Sequence, residues 1–390
     1  MLIETQKTFR IGDWNIALVP DSKPRELMVE LTTECNLRCL HCFRNSMNEP
    51  FGSMTEGTME RILEEIDNNG IRAVTLSGWG EPLYHPKAIW FIEELKKRDV
   101  RVLLNTNGIF LSKHIKKVVE LGIDVIVMSI DAVDPVIYAR IRKGGSLDAC
   151  ILSLKKLYEA KRELRSDRPL IGIQFTVNTM NVRQISRLSE FARKFGVGLI
   201  YLSNIIPVSP AHEKLACYSD EGCIEEFSKQ IRIVGKKIVD IWNIYVSKCY
   251  MKPQQAFYCP FIDNNAMFIR WDGKVAPCMQ YSHDWTFYMK GIRRDIKAVI
   301  FGSINNEGVS EIWRKIEYVK FRFRAAFGYK PSCFDCSLEE WCSYTFSNES
   351  DCYGNTPTCA HCPFARGLVS CPLLSPLRIS KAETWIWEKP

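Results

Sequence analysis

Three cysteines near the start of the sequence have a spacing that suits metal binding. Cys35, Cys39 and Cys42 lie in the stretch TTECNLRCLHCFRN with the pattern C-x3-C-x2-C. Cysteine thiolates hold iron–sulfur clusters, usually with one thiolate on each iron. Three thiolates on a four-iron cluster leave one iron without a protein ligand, and an open position makes a metal centre catalytic instead of structural. The pattern therefore predicts a catalytic cluster.

A second group of cysteines lies in the last third of the chain. Of the 16 cysteines in the sequence, nine fall between residues 259 and 371. They are Cys259, Cys278, Cys333, Cys336, Cys342, Cys352, Cys359, Cys362 and Cys371. Nine thiolates suffice for two four-ligand clusters with one left over, or for one complete and one open cluster. We expect Cys333, Cys336 and Cys342 to share one cluster with a downstream partner. Cys259 and Cys278 should belong to the other, and the partners among the last four cysteines stay open, as does a contribution from Cys249.

Zinc is the alternative metal for both groups. The first group, joined by His41, offers four zinc ligands, although zinc sites usually combine a C-x2-C pair with a distant second pair. The C-x2-C pairs at 333/336 and 359/362 are also zinc spacings. A non-catalytic metal-binding scaffold is therefore one hypothesis for the chain.

The remaining cysteines are expected to be ordinary thiols. Cys150 lies on the apolar face of a predicted helix and should belong to the core. Cys217 and Cys223 have no spacing that indicates a ligand set, and disulfides are disfavoured in a reducing compartment. The sequence indicates the cytoplasm, because MLIETQKTFRIGDW carries charges where a signal peptide has an apolar core, and no apolar stretch of about 18 residues is present.

The charge of the chain is mild and scattered. Lys and Arg total 52 and Asp and Glu total 45, which gives +7. No polybasic block is present, so the balance favours a mildly anionic ligand over nucleic acid.

Alternating strands and helices must position these thiols. Strand patterns occur at 26–32, 73–78, 100–107, 124–131, 170–178 and 198–204. Six strand–helix units in series predict an α/β fold with a partial (β/α)6 TIM-like barrel, since a complete barrel needs eight units. The active site should lie at the C-terminal ends of the strands. Polar segments follow every strand there: the cysteine loop, 78–82, 105–108, Ser129 with Asp131, Asn178 and Asn204.

The chain is predicted to have five parts. They are an N-terminal extension (1–24), the barrel (25–220), a connecting helix (221–254), a cysteine-rich domain (255–375) and a C-terminal tail (376–390). The cysteine-rich domain has too few apolar runs for a conventional core, so bound clusters are expected to hold it together. Within it, RWDGKVAPC reads as two short strands around an Asp-Gly turn.

A C-x3-C-x2-C loop after the first strand of such a barrel resembles the radical S-adenosylmethionine (SAM) superfamily. The resemblance implies that a 4Fe-4S cluster binds SAM and reductively cleaves it to a 5'-deoxyadenosyl radical and methionine. Gly78, Gly80, Glu81 and Pro82 match the family's GGEP-like motif, whose backbone carbonyls bind the methionine amino group. Trp79 replaces the second glycine of that motif.

Further positions match the superfamily residue by residue. Ser129 and Asp131 correspond to the segment that contacts the ribose and the carboxylate of SAM, although they could simply cap the next helix. Arg142 falls where relatives place a carboxylate-binding arginine, with a solvated surface arginine as the alternative. His41 occupies the usually aromatic position near adenine, and Asn178 is a candidate for the ribose. The sequence identifies no catalytic acid or base.

The second cysteine group resembles the SPASM domain of radical SAM maturases. Cys259, Gly273, Cys278 and the C-x2-C-x5-C run that begins at Cys333 match its pattern, which implies one or two auxiliary 4Fe-4S clusters. The chain departs from the pattern afterwards, because the next ligand would fall at Phe346.

The tail DCYGNTPTCAHCPFARGLVSCP and the entry segment PRELMVELTTECNLRC resemble the family of cofactor-modifying proteins of tungsten-containing aldehyde ferredoxin oxidoreductases. This resemblance implies an enzyme that matures such an oxidoreductase or its tungsten-pterin cofactor, with a low-potential electron donor such as ferredoxin. The alternative is a radical SAM enzyme that modifies a peptide or protein side chain by thioether formation or oxidation. Only 34 residues precede Cys35, too few for the leader-binding module of many peptide maturases.

Overall fold

The six predicted strands form a parallel, barrel-like sheet. The computed structural model describes residues 8–11, 13–18, 22–237, 243–247, 249, 259–371 and 373. The strands are β1 (Glu26–Val29), β2 (Ala73–Leu76), β3 (Arg101–Thr106), β4 (Val125–Ser129), β5 (Leu170–Val177) and β6 (Leu199–Asn204). Each strand pairs in parallel with the next. Their C-terminal ends therefore share one edge, and the predicted partial barrel is confirmed.

Helices cover the outside of this sheet. They are α1 (Glu56–Asn69), α2 (Ala88–Lys97), α3 (Ile115–Glu120), α4 (Pro135–Ile141), α5 (Leu147–Glu163), α6 (Leu188–Lys194), α7 (Pro210–Glu213) and α8 (Glu221–Lys237). Helix α1 begins where Thr55 accepts a hydrogen bond from the Thr58 amide and ends at Gly70, whose φ of 63° is left-handed. Its apolar residues are buried against the sheet at helical spacing.

The prediction of one connecting helix over 221–254 was wrong at Asn243–Val246. Strand β7 (Asn243–Val246) follows α8 and pairs in parallel with β6. Its sequence, NIYV, has the β-branched and aromatic residues that strands favour, and it covers an otherwise open edge of β6. Residues 238–242, 248 and 250–254 of the predicted helix lie outside the described residues, as do 255–258 and the tail 376–390.

The cysteine-rich region adds strands to the same sheet. Strand β8 (Ala266–Ile269) pairs in parallel with β1, and β9 (Lys274–Ala276) pairs antiparallel with β8 around the predicted Asp-Gly turn. A hairpin of β10 (Trp285–Met289) and β11 (Ile292–Ile296) follows, and β12 (Gly302–Ser303) pairs with β9. The sheet order is β12-β9-β8-β1-β2-β3-β4-β5-β6-β7. The short helices α9 (Pro260–Asp263), α10 (Val309–Trp313) and α11 (Ile316–Ala326) complete the region.

The expectation that the cysteine-rich region lacks an apolar core was wrong. Trp285, Phe287 and Trp313 are fully buried and belong to the same hydrophobic cluster as the barrel strands. Sequence reasoning missed this core because its aromatic residues are dispersed between loops. Among the described helices, none combines the length and the apolar character needed to cross a bilayer.

Two cysteines differ from their predicted state. Cys217 and Cys223 form a disulfide between the turn after α7 and the first turn of α8, with their Cα atoms 5.1 Å apart. The prediction that they are unconnected thiols was therefore wrong, because the local turn brings them together. Cys150 is buried as predicted and lies 3.1 Å from the Tyr138 hydroxyl.

Candidate active site

The loop with the first three cysteines is held at the C-terminal edge of the barrel. The Thr33 amide donates to the carbonyl of Gly52 (2.9 Å), and the Arg38 amide donates to that of Lys143 (2.9 Å). The Cys42 amide donates to the carbonyl of Cys39 (3.2 Å), which forms a tight turn between the two cysteines. The loop is thus fixed by contacts from both flanks of the barrel.

Nitrogen donors face two of these sulfur atoms. The Leu37 amide lies 3.4 Å and the Asn107 side-chain amide 3.7 Å from Cys35 Sγ, and Arg142 Nη1 lies 3.9 Å from Cys39 Sγ. Burial raises the pKa of all three thiols, that of Cys39 to about 12. Buried thiols become thiolates only beside a strong positive centre. Sulfur ligands surrounded by N–H donors fit an iron–sulfur cluster.

Among the described residues, no three Cys, His, Asp or Glu side chains lie close enough together to share a single metal ion.

The three thiols line a cavity of about 190 Å³ at the barrel edge. Of the predicted SAM-binding residues, His41, Gly78, Gly80, Glu81, Ser129 and Arg142 also line it. The opposite wall comes from the cysteine-rich region, through Met279, Phe364, Val369 and Ser370. The cavity therefore lies between the barrel and that region.

Two glycines let the chain pass close to the cysteine loop. A Cβ on Gly80 would lie 2.3 Å from the carbonyl oxygen of Thr32 and 2.4 Å from that of Glu34. A Cβ on Gly78 would lie 2.6 Å from the side chain of Glu30. Only glycine fits at these positions, so backbone atoms line the cavity, as binding through carbonyls requires.

The Glu81 carboxylate is hydrogen-bonded to neighbouring residues of the protein. It accepts hydrogen bonds from the Thr106 hydroxyl (2.6 Å) and the amides of Asn107 (2.7 Å) and Leu83 (3.2 Å). Burial raises the pKa of Glu81, and these donors oppose the rise. Glu81 therefore ties the loop after β2 to the end of β3.

Trp79, the departure from the family motif, joins the barrel to the cysteine-rich region. Its indole nitrogen donates to the Ser282 hydroxyl (3.0 Å), and its ring packs edge-on against Phe43 (4.6 Å), His283 (5.3 Å) and Trp285 (5.3 Å). Phe43 directly follows Cys42. The buried ring of Trp79 thus contacts both the cysteine loop and the cysteine-rich region.

Asp131 and Arg142 form a buried ion pair beside the cavity. Arg142 Nε donates to Asp131 Oδ2 (2.6 Å), and Asp131 Oδ1 accepts from the Thr176 amide (2.7 Å). Burial alone would lower the pKa of Arg142, but the nearby Asp131 carboxylate outweighs this effect and raises the pKa. Asp131 itself does not line the cavity. His41 lies 3.5 Å from Asp131, yet burial lowers the pKa of His41 to about 4, so its ring is neutral.

Two predicted contacts lie off the cavity wall. Pro82 is buried in the turn after Glu81. The side chain of Asn178 bonds within its own loop, to the Thr176 carbonyl (3.2 Å) and the Met180 amide (2.9 Å). Asn178 therefore stabilises the end of β5, and its contact with the ribose stays a prediction.

Sequence reasoning missed three neutral polar residues of the cavity, Gln174 and Thr176 on β5 and Ser203 on β6. Asn107 after β3 and Asn204 at the end of β6, which belong to the predicted polar strand ends, also line it. The available signal was the polar residue at every second position of β5, which a buried strand does not otherwise need.

Five cysteines of the C-terminal region are neighbours of one another, and we term them the inner group: Cys259, Cys278, Cys359, Cys362 and Cys371. Burial raises the pKa of Cys278 well above its ordinary value, and Cys362, Cys259 and Cys359 raise it further. Burial also raises the pKa of Cys371, and Cys362, Cys259 and Cys278 add to it. The neighbouring residues Met279, Val369 and Ser370 line the cavity, so this group lies next to it.

The other four cysteines of this region are Cys333, Cys336, Cys342 and Cys352, and we term them the outer group. Burial raises the pKa of Cys333 to about 12, and among its charged neighbours are Cys352 and Cys342. Cys336 lies in the same loop, and Cys336 and Cys352 are exposed. Among the last four cysteines, Cys352 is thus a neighbour of Cys333, whereas Cys359, Cys362 and Cys371 are neighbours of Cys259 or Cys278.

Comparison with protein families gives two matches. Residues 29–184 match the radical SAM superfamily, and residues 259–337 match SPASM, an iron–sulfur cluster-binding domain. These ranges include the first cysteine loop and Cys259, Cys278, Cys333 and Cys336 of the second group.

Individual proteins extend the comparison. The tungsten-containing aldehyde ferredoxin oxidoreductase cofactor-modifying protein of Pyrococcus furiosus is 30% identical over 354 residues, which cover 89% of this chain and 97% of that protein. A probable GTP 3',8-cyclase of Methanococcus maripaludis is 29% identical over 188 residues, 48% of this chain and 60% of that protein. In structure, SuiB of Streptococcus suis bound to S-adenosylmethionine matches with a TM-score of 0.61 at 16% identity, over 82% of this chain and 72% of SuiB.

Proposed function

Because this chain belongs to the radical SAM superfamily, and to the family of the Pyrococcus furiosus cofactor-modifying protein, we propose that it matures a tungsten-pterin aldehyde ferredoxin oxidoreductase or its cofactor. The observation that carries the proposal is the 30% identity to that protein over 89% of this chain and 97% of that protein. A radical SAM maturase with a SPASM domain binds SAM through a 4Fe-4S cluster in its barrel and binds auxiliary iron–sulfur clusters in its SPASM domain.

We assign the SAM-binding cluster to Cys35, Cys39 and Cys42. With SAM bound, a cluster held by these thiolates would supply a 5'-deoxyadenosyl radical for hydrogen-atom abstraction. The chain contributes the close backbone approach at Gly78 and Gly80 and the cation of Arg142. It also encloses the cavity with the C-terminal wall, which limits the access of water to a reactive intermediate.

The inner and outer groups are the proposed ligands of two auxiliary clusters. The outer group has four thiols, one for each iron of a cluster. The inner group has five, so one thiol is in excess. The position of the inner group beside the cavity supports a role near the substrate.

The cavity favours an uncharged reacting group. Among the described lining residues, Glu81 accepts hydrogen bonds from Thr106 and Asn107, and Arg142 is paired with Asp131. A triphosphate needs cationic partners, so GTP is disfavoured. Gln174, Thr176 and Ser203 offer neutral hydrogen-bonding groups, which suit a pterin ring and equally a peptide amide. A radical SAM modification of a peptide or protein is therefore the second candidate.

Incubation with the metal-free form of a tungsten oxidoreductase tests the proposal. SAM, a low-potential reductant such as reduced ferredoxin, and the protein should yield more 5'-deoxyadenosine than without the oxidoreductase, and the pterin isolated afterwards should change in mass. The Cys35→Ala variant is the control and should give neither effect. A mass change on a peptide of the oxidoreductase with an unchanged pterin would replace the first candidate by the second.

A further inference from the structure

Arg294 is a cation in the interior of the C-terminal region. It lies on β11 and is completely buried, whereas the side chain of its neighbour Arg293 is 61% exposed and pairs with Asp295. A buried guanidinium is costly unless its charge and its hydrogen bonds are satisfied. The contacts of Arg294 therefore show which groups compensate its buried charge.

Four partners surround the guanidinium. Nη2 pairs with the Glu339 carboxylate. Nη1 donates to the Thr345 carbonyl (2.8 Å) and to His361 Nδ1 (3.0 Å). The group also lies 4.8 Å from the centre of the Phe334 ring. Because His361 Nδ1 accepts this hydrogen bond, it carries no proton.

Each of these partners belongs to a segment that bears cluster ligands. Phe334 follows Cys333, and Glu339 lies between Cys336 and Cys342, all in the outer group. His361 stands between Cys359 and Cys362 of the inner group. Burial raises the pKa of the Cys333 thiol, and Arg294 is the first charge that opposes the rise. One guanidinium thus contacts segments of both groups.

One donor of Arg294 has no acceptor among the described residues. The Nε atom is buried and makes no hydrogen bond. An unsatisfied donor in the interior is unfavourable, and the sulfur atoms of a bound cluster are acceptors. Hydrogen bonds to cluster sulfurs and nearby positive charge set the reduction potential of a cluster.

We propose that Arg294 is a positioning residue that links the two auxiliary cluster sites and raises the reduction potential of the cluster held by the outer group. Its positive charge stabilises the added electron, and Glu339 limits this effect by partly neutralising the guanidinium. The contact with His361 holds the two ligand-bearing segments in a fixed relation. This inference rests on the cysteine assignment proposed above.

EPR-monitored redox titration of the full-length, anaerobically purified protein tests it. The auxiliary signals are those that persist when Cys35, Cys39 and Cys42 are all replaced by alanine. Arg294→Met should move the midpoint potential of one auxiliary cluster to a more negative value, while Glu339→Gln should move the same signal in the opposite direction. Arg294→Lys keeps the charge and should stay nearer to the wild type, and Arg293→Met, the exposed neighbour, should leave the potential unchanged.

The opposite signs separate this role from a structural one, which would give no such pattern. Midpoints of Arg294→Met and Glu339→Gln equal to the wild type, or shifted in the same direction, would overturn the inference. If Arg294→Met loses iron, Glu339→Gln decides alone, and an unchanged potential in that variant refutes it. Iron and sulfide contents of the wild type that account for fewer than two auxiliary clusters would instead refute the cysteine assignment.

Discussion

Replacement of Trp79 tests how the C-terminal region holds the loop that is proposed to bind SAM. Its side chain is 3% exposed, and its indole nitrogen donates to the Ser282 hydroxyl (3.0 Å) and lies 3.3 Å from the Met279 carbonyl. The ring also contacts Phe43 in the cysteine loop. Trp79→Phe removes the N–H group and keeps an aromatic ring, whereas Trp79→Ala removes the whole contact.

The two variants should lower the free energy of unfolding by different amounts. A hydrogen bond contributes about 1 kcal/mol to stability. The Met279 carbonyl keeps a partner in Trp79→Phe, because the Ser282 hydroxyl also donates to it (2.8 Å). We therefore expect Trp79→Phe to lower the free energy of unfolding by about 1 kcal/mol. Trp79→Ala should lower it by about 3–5 kcal/mol, since it leaves a cavity beside several aromatic rings.

Anaerobic urea unfolding followed by far-UV circular dichroism measures these changes, at equal iron content per chain. SAM affinity measured by equilibrium dialysis should fall in Trp79→Ala, because the cysteine loop and the loop after β2 lose their shared contact. Trp341→Phe is the matched control, since Trp341 is 86% exposed and should change stability by less than about 0.5 kcal/mol. Equal unfolding midpoints for Trp79→Ala and the control would refute the reasoning.

Three further substitutions test other parts of the site. Cys35→Ala should abolish SAM cleavage after dithionite reduction, measured as 5'-deoxyadenosine, and normal cleavage would contradict the cluster assignment. Gly80→Ala places a Cβ 2.3 Å from a backbone oxygen and should weaken SAM binding in dialysis by about tenfold or more, given a packing cost of about 1–3 kcal/mol, whereas Gly57→Ala, with open space around it, should bind normally. Burial lowers the pKa of His283, but Glu30 and Glu49 outweigh it and raise the pKa above 6.5. The stabilisation from His283 should therefore be complete below pH 6.5 and be lost as the pH rises through the folded-state pKa; a His283→Gln variant with the same pH dependence of urea unfolding as the wild type would disprove this.

Local sequence was sufficient for the elements of the barrel. Runs of β-branched residues and helical spacing are properties of neighbouring positions, so all six strands and the capped helix α1 were predictable. Strands β7 and β8 were not predicted. They form by pairing with β6 and β1, strands that lie far away or on another segment of the chain, and the sequence does not contain the position of those edges.

The same distinction applies to the site. The sequence by itself determined the chemistry: three thiols at C-x3-C-x2-C spacing, nine more near the other end, and the glycines after β2. Only the tertiary structure decided the partners. It brought Cys352 near Cys333 and Cys371 near Cys259 and Cys278, hydrogen-bonded Glu81 to Thr106, paired Arg142 with Asp131, and placed Trp79 against the cysteine-rich region. Residue type and local spacing fix which atoms can bind a metal, but the distance between atoms far apart in sequence depends on the path of the folded chain.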